Sequence, residues 1–187
     1  MGVSLYHIIG KSCFLGGYMT YKIIDIHSEI TCPFKLMDFH FKNFSFEFLF
    51  KEFDEGQSDY SIEHGGIIGS FGIAFNEEGL NAEFPCDVTV GNVYSFFVQL
   101  KECYENMNGS AILEDYGKER VHIEVIFYKN GCCVVDIEVA NYSLYNSCGK
   151  IKVSFQCDQS YWKDIIDNFN MFFTELARLQ GYYDFKY

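Results

Sequence analysis

The chain has 187 residues, 49% hydrophobic and 19% aromatic, with two prolines and no low-complexity or repeated segment. That composition suits one domain spanning residues 1–187, able to bury roughly 70% of its unfolded surface, and it argues against a disordered chain or a repeat array. Its 26 acidic against 14 basic residues leave a formal charge of −12, which repels phosphate backbones and anionic lipid and so argues against direct nucleic-acid or membrane-surface binding.

Taken in order, residues 1–18 show no periodicity and are expected to form a loose N-terminal arm. No early positive charge or lipobox marks a signal peptide, and position 6 lacks the Ser or Thr of a myristoylation signal. No apolar run approaches the roughly 20 residues that span a bilayer. Eight cysteines occur without any Cys-x-x-Cys spacing, so reduced thiols and a cytoplasmic location are expected.

"YKIIDIHSEI" and "FKLMDFHFKNFSFEFLFKEF" carry much of the phenylalanine. Phe44, Phe46, Phe48 and Phe50 alternate with Ser45, Glu47, Leu49 and Lys51, and that period of two with aromatics predicts strand. "DEGQSDYSIEHGGIIGS" reads as a loop, and "FGIAFNEEGLNAEFPCDVTVG" as two strands about a Glu78-Gly79 turn. Between Glu52 and Leu100 there are nine acidic residues and no Lys or Arg. Such a segment is either a solvated surface or a landing site for a basic partner. Glu52, Asp54, Glu55, Asp59, Glu63, Glu77 and Glu78 are the candidates for partner contact.

A helix is predicted over about 93–107, with Asn92 as N-cap and Asn108-Gly109 as its stop. Its stripe of Val93, Phe96, Phe97, Leu100, Cys103, Tyr104 and Met107 is a core face. "VHIEVIFYKNGCCVVDIEVA" then reads as a hairpin. A two-residue Asn130-Gly131 turn would put Asp136 and Glu138 on the apolar side, whereas a three-residue loop with Gly131 in a left-handed bulge keeps Val121, Ile123, Val125 and Phe127 beside Cys133, Val135, Ile137 and Val139. The bulged turn is therefore expected, with His122 opposite Glu138 and Glu124 opposite Asp136. In "KIKVSFQC", Ile151, Val153, Phe155 and Cys157 face one way, while Lys150 and Lys152 are set to offset Asp136 and Glu138.

"FQCDQSYWKDIIDNF" groups a thiol, an acid and two hydroxyls, as a nucleophile with helpers would. Strand period instead turns Cys157 inward, and Asp158 becomes an acceptor for the free N–H groups at the start of a helix over about 159–180. Trp162, Ile165, Ile166, Phe169, Phe172, Phe173, Leu176 and Leu179 form that helix's apolar stripe. The expected fold is α+β: mainly antiparallel β-sheet with two long helices packed on it.

"VYSFFVQLKECYENMNGSAIL", a strand pair with a Gly turn, and "IKVSFQCDQSYWKDIIDNF" resemble the C-terminal pattern of the WapI-type immunity proteins. The resemblance rests on Phe96, Leu100 and Ala111, then on Phe155, Asp158, Gln159 and Ser160, and spans roughly residues 70–180. It implies a cytoplasmic antidote to a secreted bacterial polymorphic toxin, binding a cognate toxin domain. No contact residue carries over, because such families vary the toxin-facing surface.

Chemistry has weaker support. Asp25 and His27, Asp38 and His40, and His122 and Glu124 each stand two apart, which on a strand places imidazole and carboxylate on one face. Any polar strand face produces that spacing, so neither a catalytic nor a metal site is expected, and no cofactor. "HGGIIGSFG" lacks the Gly-Lys-Ser/Thr of a P-loop, and no G-x-S-x-G elbow occurs. Two other classes stay open: a ligand-binding module with an aromatic pocket near Phe44 to Phe50, and a small hydrolase built on one Asp–His pair.

Overall fold

Among the described residues, alternating strands and two amphipathic stripes fold as ten strands and two helices, in an α+β arrangement of antiparallel sheets with the helices packed on them. The structure, a computed structural model, describes residues 4–9, 22–27, 30–53, 69–77, 80–115, 120–142 and 148–182. Strands β1 (Ser4–Ile9) and β2 (Lys22–His27) form a two-stranded antiparallel sheet. The stretch read as a loose arm thus contains a strand, whose partner lies beyond the twelve residues that follow it. Of the stretch 54–70 read as a loop, residues 54–68 lie outside the described residues, and Gly69 and Ser70 belong to a strand instead.

Strands β3 (Phe34–His40), β4 (Phe44–Phe53), β5 (Gly69–Glu77) and β6 (Leu80–Cys86) form the first four-stranded sheet, in that order. The aromatic alternation of β4 puts Phe46, Phe48 and Phe50 in the core, each fully buried. A bulge between Lys35 and Met37 lets both Leu36 and Met37 point inward. Strands β7 (Gly109–Glu114), β8 (Val121–Phe127), β9 (Cys132–Tyr142) and β10 (Cys148–Asp158) form the second sheet in the order β10-β9-β8-β7. Its β8–β9 hairpin has the expected register, Phe127 opposite Cys133 and Val125 opposite Val135, with Gly131 at φ +82°. Only a residue without Cβ takes that conformation cheaply.

Helix α1 (Val90–Asn106) begins three residues earlier than its stripe suggested. Thr89 is the N-cap and Asn92 sits at the third helical position. The Asn92 N–H donates to Thr89 Oγ1 at 3.1 Å, and the Thr89 N–H donates to Asn92 Oδ1 at 3.0 Å. Asn92 is therefore half of a capping box rather than the cap. The stop also differs, because Met107 takes the left-handed conformation, with φ 48°, just before Gly109. Thr89→Ala is expected to cost about 1 kcal/mol in a urea titration, and Thr89→Ser much less.

Helix α2 (Ser160–Tyr182) ties the layers together. Phe172 stacks on Phe34 and meets Phe50 at a tilt, both of the first sheet, at ring separations of 5.8 and 4.9 Å. Phe169 meets Phe97 of α1 face to face at 5.4 Å. Trp162 touches Phe39 of the first sheet at 5.4 Å and Phe127 of the second at 5.1 Å. Phe155 on β10 reaches Phe39 and Phe44. One continuous apolar cluster therefore contains both four-stranded sheets and both helices.

Candidate functional site

The strand-to-helix junction places its groups as the period of β10 requires. Cys157 is 8% exposed and lies directly across from Cys133. Burial pushes the Cys157 thiol up to about 12 and that of Cys133 up to about 11, outweighing the pull of the Trp162 indole N–H on both sulfurs. A thiol so resistant to ionisation is a poor nucleophile. Asp158 accepts the Ser160 backbone N–H at 2.7 Å, and the Ser160 hydroxyl and N–H hold its carboxyl below the usual range. The thiol packs and the acid tethers the helix start, as expected.

Of the seven acidic candidates, Asp54, Glu55, Asp59, Glu63 and Glu78 lie outside the described residues. Glu52 and Glu77 are exposed, but pairing of Glu52 with Ser70 and of Phe44 with Glu77 sets them at opposite ends of the β4–β5 ladder. At ~3.4 Å per residue they stand about 24 Å apart. These two do not form one patch. The glycine-rich stretch also changes meaning: a Cβ on Gly69 would fall 2.2 Å from the Phe50 ring, so that glycine serves close packing.

The histidine pairs have different surroundings. Asp25 and His27 lie on β2, with side chains outside the described residues. His122 has Glu138 across the strand, as expected, yet its side chain meets Glu114 of β7, with Nδ1 3.1 Å from Oε1. Asp38 and His40 share the outer face of β3, and the β3–β4 register brings Glu47 opposite Asp38. His40 Nε2 lies 2.6 Å from Asp38 Oδ1 and 3.9 Å from Glu47 Oε1. Lys35 Nζ bridges the carboxylates, 3.0 Å from Asp38 Oδ2 and 2.5 Å from Glu47 Oε1, and the Glu47 hydrogen bond is the main reason its ammonium is held above its usual range. A cleft of about 460 Å³ opens beside them, lined by Asp38, His40, Ser160, Tyr161, Asp164 and Asn168 among others. Glu47 escaped sequence reasoning because it is seven residues from His40; the available signal was a β3–β4 hairpin turning at Lys42-Asn43. The aromatic faces of Phe46, Phe48 and Phe50 are consumed by the core.

The second sheet turns its other face outward. Across it, Ser110, Ile126, Val134 and Gln156 form one row, and Ile112, Glu124, Asp136 and Ser154 form the next. Glu124 and Asp136 are direct cross-strand neighbours, and neither makes an ion pair among the described residues. Like charges so placed destabilise a sheet. Ile112, 38% exposed, ends their row. One row further, Lys150 and Lys152 reach Glu138, and the Lys150 hydrogen bond holds that carboxyl below its usual range. The lysines therefore offset Glu138, as expected, but not Asp136. No helix among the described residues is long and apolar enough to cross a membrane.

No family model, curated protein or solved structure matches the chain.

Proposed function

We propose that the chain is an immunity protein, which binds a cognate bacterial toxin domain in the cytoplasm and neutralises it by masking its active surface, without chemistry of its own. The observation that carries this reading is the outer face of the second sheet. There Glu124 and Asp136 stand side by side without a counter-charge, between half-exposed Ile126 and Val134 and exposed Ile112. A cost to the sheet is relieved when a cationic surface docks there, and the apolar neighbours supply area that loses water on contact. The chain's −12 charge favours the same kind of partner. A nuclease toxin fits, because its substrate groove must be basic. Further support comes from the resemblance of α1, the strand pair and the β10–α2 junction to the WapI-type pattern.

Co-expression with the toxin domain encoded next to this chain, scored by survival and co-purification, tests the function. Survival that does not depend on this chain would remove it. For the surface, Glu124→Lys with Asp136→Lys is expected to slow association by about tenfold or more at low salt, with the deficit shrinking as salt rises. Glu52→Lys with Glu77→Lys, on the other four-stranded sheet, tests the acidic-segment alternative in the same assay. An unchanged rate for the first pair would rule out the sheet face.

A further inference from the structure

Asp38 Oδ1 is buried and has no hydrogen-bond partner, although His40 Nε2 lies only 2.6 Å away. The imidazole and carboxylate are thus in contact without an aligned N–H between them. A water or a cation satisfies a carboxylate oxygen left in this condition, and the Asp38 side chain is 31% exposed, so either can reach it. Glu47 completes the arrangement from the next strand. One ligand atom each from Asp38, His40 and Glu47 lies within 4.8 Å of the other two.

We propose that Asp38, His40 and Glu47 bind a single divalent transition-metal ion of the zinc class, independently of any toxin partner. One imidazole nitrogen and two carboxylate oxygens are a donor set that zinc accepts at about 2.0–2.2 Å, which places tetrahedral ligand atoms about 3.4 Å from one another. The His40–Asp38 and His40–Glu47 separations of 2.6 and 3.9 Å bracket that value. Small side-chain rotations close the difference, since His40 is 60% and Asp38 31% exposed. The adjoining cleft leaves the remaining coordination position open to water or a small ligand. This departs from the sequence-based expectation of no metal, because an Asp-x-His spacing alone lacks the third donor.

Lys35 explains how the carboxylates coexist without the ion. Its ammonium sits between Asp38 and Glu47, where a cation belongs, on a side chain 43% exposed. A divalent ion brings twice the charge and direct bonds, and Lys35 swings to solvent when displaced. It is therefore a competitor, and removing it must improve the site. The imidazole donor selects zinc-like ions over magnesium, which prefers oxygen.

The test is calorimetric titration of the full chain, stripped of metal by chelator, with zinc chloride, and with magnesium chloride as the hard-ion control. Wild type is expected to bind one zinc ion and no magnesium. His40→Ala should weaken zinc by at least about tenfold, the least that loss of a direct ligand should cost where supporting contacts alone are worth that much. Lys35→Met should tighten it. Both changes are on exposed side chains, so thermal melts will show the variants folded. Cobalt(II) absorption supplies a second readout: bands of nitrogen and oxygen ligation that vanish in His40→Ala. Wild type failing to bind zinc, His40→Ala binding like wild type, or a thiolate charge-transfer band that survives His40→Ala would each overturn the proposal.

Discussion

Trp162→Ala is expected to lower unfolding free energy by about 3–5 kcal/mol, the usual range for removing a large buried ring. The chain's single tryptophan is fully buried and touches a phenylalanine of each four-stranded sheet. Its loss leaves a cavity where three layers meet, and close-packed surroundings collapse only partly into such a space. Against the total of about 5–15 kcal/mol that ordinary domains possess, this is a large share. Urea unfolding of wild type and variant measures it. If Trp162→Ala is insoluble, Trp162→Phe keeps one ring in place and should show a smaller loss in the same titration. A change below about 1 kcal/mol for Trp162→Ala would mean that α2 does not bridge the sheets. Native emission should also be blue-shifted and protected from iodide, then red-shift on unfolding.

The second large effect concerns thiol chemistry. At pH 8 a thiol pushed to about 12 has on the order of a thousandfold less thiolate than one at the ordinary 9.0. Cys157, and Cys86 with the same value, should therefore resist iodoacetamide in the native protein and react fully in urea, as peptide mass mapping will record. Half-exposed Cys132 serves as the internal comparison. Rapid native labelling of Cys157 would put its sulfur in an open cleft and reopen the nucleophile alternative.

The same burial has a consequence for stability. The unfolded chain releases these thiol protons near pH 9, whereas the native protein holds them to about 12 for Cys86 and Cys157 and about 11 for Cys133. Between those values unfolding releases protons, so stability contributed by these groups is intact below pH 9 and lost as pH rises toward 12. Cys157→Ala should flatten that alkaline decline. An identical decline in the variant would exclude Cys157 as a source.

Sequence by itself determined the elements whose cause is local. A period of two placed Phe46, Phe48 and Phe50 on the buried face of β4 and turned Cys157 inward on β10. The need to keep Asp136 and Glu138 out of the core selected the Gly131 bulge, and with it the Glu124–Asp136 row. Helical spacing marked the stripes of both helices, because burying one face requires it.

Tertiary structure decided whatever depends on partners brought from elsewhere. The start of α1 moved to Thr89 because a reciprocal box satisfies more orphan N–H groups than Asn92 alone. Met107 rather than a glycine took the left-handed position, since the following Gly109 begins β7 and the chain must reverse before it. Glu52 and Glu77, close in an acidic stretch, were carried to opposite ends of a ladder, while Glu47 was carried to Asp38 and His40. Spacing along one strand constrains which face a side chain takes. Register between strands settles which charges meet, and that follows from the packing of the whole core.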